Sequence, residues 1–182
     1  MTTNLTFLDF ILSIAASLIA SIIFIFLLLL WLRPNIKICS SICLQKDTFD
    51  NSARECYLFK IVNLSWFSAY DISVELSSLV SYPVKDGMNF RFFPLTLKTD
   101  KLNFIAPYRA RWYRKNYAEY AMIFRTYDNI AEVLGNERNS IKIQVTLRHG
   151  LTGLSKVYYM DYVNCSDIIK GHFAFGNNLN IV

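Results

Sequence analysis

The chain has 182 residues, 53% of them hydrophobic, with 14 Phe, 11 Tyr and 3 Trp against only 6 Gly and 4 Pro. Collagen-like and low-complexity chains are excluded by that composition, and a disordered one by the 18% share of charged residues beside so much apolar mass. The net charge is +5, and its distribution along the chain is uneven.

Residues 1–9 read as a short tail. From Phe10 to Leu32 no residue is charged, a run of 23 positions where about 20 span a bilayer as a helix. Trp31 suits the headgroup level, Arg33 can snorkel, and Pro34 ends the helix. A cleaved signal peptide would need a positive start, a shorter apolar core and a small-residue cleavage site; here the first nine residues carry only Asp9. Residues 10–32 are therefore expected to be a transmembrane helix. Lys and Arg are absent before it, while Arg33, Lys37 and Lys46 follow, so the positive-inside rule puts a C-terminal domain in the cytoplasm, on a single pass through the inner (plasma) membrane. Ser13, Ser17 and Ser21, with Ala16 and Ala20, give this helix a face of small residues on which two copies could associate.

The remaining residues, 36–182, suffice for one domain. Apolar residues alternate with polar ones in Ala69–Leu76 and in Ile141–Leu147, the period of strands with one buried and one wet face. Further strands are expected over Ile36–Ile42, Cys56–Asn63, Met88–Leu97, Glu119–Arg125 and Lys156–Val163. Tyr82-Pro83 and Lys85-Asp86-Gly87 read as loop, and Gly150-Leu151-Thr152-Gly153 as a hairpin connection. Asp128 can cap one short helix through Leu134, which Gly135 stops. Seven or so strands with so little helix predict a mainly β, antiparallel two-sheet sandwich behind a membrane helix.

Cys39, Cys43, Cys56 and Cys165 show no disulfide framework, which suits a reducing compartment. Cys39 and Cys43 resemble half a metal site, but no second pair completes it, and His149 and His172 are the only histidines. Neither a metal nor a cofactor is expected. Sequons begin at Asn4, Asn63 and Asn164; the latter two matter only with the topology inverted.

The stretch Trp31-Leu32-Arg33-Pro34-Asn35-Ile36-Lys37-Ile38 resembles the membrane exit of small, uncharacterised bacterial proteins with one N-terminal span. The likeness continues through Phe59-Lys60-Ile61-Val62-Asn63, Ala69-Tyr70-Asp71-Ile72 and the segment 149–157. It implies an immunoglobulin-like sandwich on a membrane tether and brings no active site with it. The late hairpin with its Thr-Gly turn is also similar to the cytoplasmic sandwich of inward-rectifier potassium channels; without a pore helix or filter, channel function does not transfer.

Between Lys85 and Lys115 eight basic residues meet two acids, a net of +6 where the whole chain carries +5. The dense part is residues 107–117, with Arg109, Arg111, Trp112, Tyr113, Arg114 and Lys115 as candidate ligands of an anion. Guanidinium forks match phosphates, rings can stack on bases, and clustered cations attract anionic lipid. A solvated loop is the competing description, and nucleic acid is the weakest of the partners considered. No phosphate-cradling glycine loop, nucleophile elbow or HExxH is present, so no enzyme is expected. The sequence thus favours a membrane-anchored binding or interaction module, its protein partner unknown, over a sensor of nucleotides or other anions, or an effector, acting through 107–117.

Overall fold

The computed structural model describes residues 2–32, 35–47 and 54–182. The chain divides into two compact units, residues 1–33 and 34–182. The first is one helix, α1 (Thr2–Trp31). Its segment Phe7–Leu29, with mean hydropathy 2.8, is long and apolar enough to cross a membrane.

The second unit is mainly β, as the alternation of its apolar residues implies. One sheet contains β1 (Ile36–Ile38), β2 (Ile42–Lys46), β3 (Glu55–Asn63), β7 (Ala121–Thr126) and β10 (Ile168–Lys170). The other contains β4 (Ala69–Val84), β5 (Gly87–Leu95), β6 (Lys101–Ile105), β8 (Asn139–His149) and β9 (Ser155–Tyr162). All pairings are antiparallel except β10 with β2. Tyr57, Phe59 and Ile61 of the first sheet join Ile72, Val74, Leu76, Ile141, Ile143, Val145 and Leu147 of the second in one core. Each such side chain fully removed from water stabilises by about 1.5–3 kcal/mol.

Several expectations need correction. The strand expected over Ile36–Ile42 is interrupted at Cys39-Ser40-Ser41, where the Cys39 carbonyl turns inward to accept the buried Tyr162 hydroxyl at 2.6 Å. Its two halves, β1 and β2, pair with successive stretches of β3. Tyr82-Pro83 is not a loop: β4 runs on to Val84 and pairs with β5 in a long hairpin. Pro83 is tolerated there because that end of β4 has outrun its other neighbour, whose last pairing is Val80 with Asn139. The helix α2 (Ile130–Leu134) is capped by Asn129, not Asp128; Asn129 Oδ1 accepts the Glu132 N–H at 3.3 Å. Asp128 instead accepts the Thr96 N–H at 2.6 Å. β6 and β10 lie where no strand was expected.

The C-terminal residues after β10 close into a small hairpin through Phe173 and Ile181, with His172 and Val182 exchanging two backbone hydrogen bonds. This hairpin covers the outer face of the first sheet. Phe173 and Ile181 pack on Cys43, Cys56 and Leu58 in a second apolar cluster. The strand β3 is therefore buried on both faces along its length after Glu55.

Candidate functional site

The basic aromatic segment is built upward from one buried amide. Asn63, at the end of β3 and fully buried, donates to the carbonyls of Phe67 (3.0 Å) and Ala106 (2.9 Å) and accepts the Ser65 N–H at 2.9 Å. The 63–67 turn so formed presents the Ser65 carbonyl to the Tyr108 N–H at 2.8 Å. From there residues Tyr108–Trp112 wind into a 3-10 helix whose inner residue, Ala110, is buried. Tyr108 also packs edge-on against the buried Tyr120, ring centroids 5.5 Å apart. At the other side of the same turn, Ser65 Oγ accepts the Asn35 N–H at 2.9 Å and the Leu64 N–H donates to the Asn35 carbonyl at 2.8 Å. The segment and the first residue of the domain's first strand region are thus held by one turn.

The cations within the segment differ in their surroundings. Arg111 donates to the Tyr108 hydroxyl and lies over its ring, 5.6 Å from the centroid. Arg114 pairs with Glu119 at 2.5 Å, both largely exposed, which is worth well under 1 kcal/mol. Arg109 and Lys115 are exposed and form no ion pair among the described residues. Trp112, 61% exposed, stands edge-on to the exposed Trp66 with ring centroids 5.3 Å apart. Tyr113 and Tyr117 are both 67% exposed.

Arg111, Trp112 and Lys115 come together on one open cavity of about 580 Å³, shared with Tyr120 and the C-terminal residues Phe175, Gly176 and Asn177. Arg109 does not line it, and Tyr113 and Arg114 instead border a smaller depression of about 370 Å³ within the segment itself. The other basic residues of the 85–115 stretch belong to separate elements. Lys85 is at the tip of the β4–β5 hairpin, Arg91 lies over Tyr82, and Lys98 reaches Tyr127. The +6 read along the chain is not one patch in space.

The far wall of the cavity is what the sequence reading missed. Gly176, at φ 70, adopts a left-handed conformation, and a Cβ there would meet Tyr120 Oη at 2.8 Å. On either side of it, the Ala174 and Asn178 carbonyls accept the Lys60 ammonium at 2.6 and 2.7 Å. Lys60 sits on the outer face of β3, 3% exposed, with the Phe173 ring 5.7 Å away. Burial lowers its pKa from the ordinary lysine value. The signal in the sequence was a buried-strand pattern broken by one lysine, and a turn-rich Gly176-Asn177-Asn178 near the end.

The thiols are used locally. Cys39 and Cys43 donate to the Leu179 and Gly171 carbonyls, and burial pushes the Cys43 thiol up to about 11. All four cysteines are free, and among the described residues no three His, Cys, Asp or Glu side chains gather as a metal would require. His149 ends β8, buried, with Nδ1 accepting the Leu151 N–H at 3.4 Å and Nε2 without a hydrogen-bond partner among the described residues; His172 lies in the C-terminal hairpin. Along α1, Ser13 and Ser21 donate to the carbonyls of Phe10 and Ser17, each at 2.9 Å, so two of the three stripe hydroxyls bond within their own helix. Ala16, Ala20 and Ser17 are exposed beside them. No protein-family model matches the chain, and no curated protein matches it either.

Proposed function

We propose that this chain is a single-pass inner-membrane protein whose cytoplasmic, immunoglobulin-like sandwich is a binding module for anionic lipid surfaces. The observation that carries the reading is the turn at Ser65, which bonds Asn35 on one side and Tyr108 on the other. Only residues 32–35 separate Trp31 from Ile36, a reach of at most about 18 Å. Asn35 comes two residues after the first unit in sequence, so the turn at Ser65 joins the basic aromatic segment to the stretch of chain that follows the apolar helix. Exposed Trp112, Tyr113 and Tyr117 are suited to the headgroup region, and Arg109 and Lys115 pair with no acid among the described residues. Each basic residue near an anionic surface contributes on the order of 1 kcal/mol, screened by salt over about 10 Å.

Two experiments test this. Reporter fusions after Val182 should be active only for a cytoplasmic reporter. Charge reversal at Arg109, Arg111, Arg114 and Lys115 should weaken the docking of the reconstituted full chain's domain on phosphatidylserine vesicles, read by quenching of its tryptophans with lipid-borne probes. Added salt should act in the same direction. Wild-type quenching that is identical on neutral and anionic vesicles at low salt would end the lipid reading.

A further inference from the structure

The cavity has a construction that a general electrostatic surface does not need. One wall, the 3-10 helix and the turn after it, brings Arg111 and Lys115. The opposite wall, Phe175 to Asn177, is a loop pinned on both flanks by one buried ammonium. Lys60 is matched there by carbonyls, and no carboxylate pairs with it among the described residues. The Lys60 amine thus donates to carbonyl dipoles beneath the loop, in surroundings of low dielectric where a charge is poorly screened. Among the described residues no acid lines the cavity, and Trp112, Tyr120 and Phe175 give it apolar sides. A volume of about 580 Å³ falls in the range of small-ligand sites.

Two cations at the rim and a third behind the wall suit a group that concentrates more than one negative charge on a few oxygens. A phosphomonoester does so near neutral pH, and its oxygens accept from guanidinium and ammonium groups together. A carboxylate or a phosphodiester carries one charge. We propose that this cavity is a phosphomonoester site, with Arg111 and Lys115 as the binding residues and Lys60 as the positioning residue that holds the Phe175–Asn177 wall. The proposal rests on the reading that this end of the domain meets anionic lipid. The phosphate could belong to a lipid headgroup or to a small soluble molecule, and the test separates the two.

The full chain is reconstituted in phosphatidylcholine nanodiscs with Trp31→Phe and Trp66→Phe, which leaves Trp112 as the only tryptophan and places the reporter in the cavity wall. Phosphatidic acid and phosphatidylserine are compared as added lipids at matched zeta potential, and adenosine monophosphate is titrated over neutral discs. The expected result is a saturable Trp112 response to phosphatidic acid or to the nucleotide, at least about tenfold weaker in Arg111→Gln/Lys115→Gln. A response to the lipid alone assigns the headgroup, and one to the nucleotide alone assigns a soluble phosphate. Equal responses to the two anionic lipids, with none to the nucleotide, overturn the site while leaving the membrane reading intact. Silence toward every anion overturns both. Lys60→Met keeps the two rim cations and should abolish the preference for phosphatidic acid with the melting temperature retained; an unchanged preference would remove Lys60 from the site. If that variant does not fold, Gly176→Ala displaces the same wall through Tyr120 and should give the same loss of preference.

Discussion

β3 and β5 are both nine residues long and both rich in aromatic or branched residues, yet they live in opposite environments. After Glu55, every residue of β3 is buried, on both of its faces. Up to Leu95, every residue of β5 is exposed, on both of its faces, including Met88, Phe90, Phe92 and Phe93. Strand composition does not separate them; what lies over them does. β3 has the second sheet beneath and the C-terminal hairpin above, whereas β5 is covered on neither face up to Leu95, although the β4 residues Leu76–Val80 that it pairs with are also paired with β8. A residue's burial is thus a property of distant chain: residues 171–182 cover the outer face of β3, and among the described residues nothing covers β5 in the same way.

The largest effect should come from removing the cover. Deleting residues 171–182 exposes Cys43, Cys56 and Leu58 and strips Lys60 of both acceptors. The loss is on the order of 5 kcal/mol, a large share of what an ordinary domain has. Chemical denaturation of the reconstituted chain should show the domain unfolded or nearly so; a midpoint close to wild type would mean that the hairpin is an ornament on β3. Phe59→Ala cuts the inner face of the same strand, where the ring meets Tyr162 at 5.7 Å, and should cost about 3–5 kcal/mol.

A smaller loss is expected where a charge has been buried at the rim of the sandwich. Asp47, 4% exposed, accepts from Arg125 at 2.6 Å and from Tyr127. Asp47→Asn keeps the size and removes the charge that Arg125 faces, a change of about 2 kcal/mol once the partial exposure of the arginine is allowed for. The denaturation midpoint should fall accordingly, with the slope unchanged.

The acid response of the domain should be smaller again. Burial pushes the His149 pKa below 6.5, with the ring edge-on to Phe67 and Nε2 unpartnered among the described residues. Below about pH 6.5 the unfolded chain takes up a proton at this residue before the folded one does, so stability falls as pH drops and the contribution is complete only above that value. The fall levels off once the folded histidine is itself protonated. Melting temperatures should decline between about pH 7 and pH 5, and His149→Leu should flatten that decline. A decline that persists unaltered in the variant would assign the acid response to the carboxylates.

Much of the sandwich was legible because its information is local. Ile72, Val74 and Leu76 alternate with polar residues, and so do Ile141 to Leu147; both are central strands with one wet face, and both form where the period placed them. The charge-free run around Phe10 to Leu32 likewise needs no partner to be read as a helix. The failures are non-local. Cys39 breaks a strand because Tyr162, far along the chain, takes its carbonyl. β10 forms only because β2 offers an edge in parallel register. In the site, the cations at Arg111 and Lys115 could be named from sequence, but Phe175 to Asn177 could not, since Lys60 selects that loop through carbonyls any residue carries.

The smallest stability effect belongs to β5. Phe92 lies opposite Leu79 across the hairpin and is 59% exposed. Truncation of a well-packed phenylalanine leaves a cavity and loses most of its contacts, but an aromatic this exposed in the folded chain has little transfer energy to surrender. Phe92→Ser also keeps a residue compatible with an edge strand and leaves the β4 pairing intact, since the ladder bonds are made by the backbone. The expected change in unfolding free energy is about 0.5 kcal/mol or less, against the several lost at Phe59. Denaturation of the two variants side by side measures the contrast between the strands directly. A loss above about 2 kcal/mol at Phe92 would show that β5 is covered in the working protein, by lipid or by another chain, and repeating the melt in neutral discs of increasing dilution would tell which: a partner copy is lost on dilution, whereas the bilayer is not.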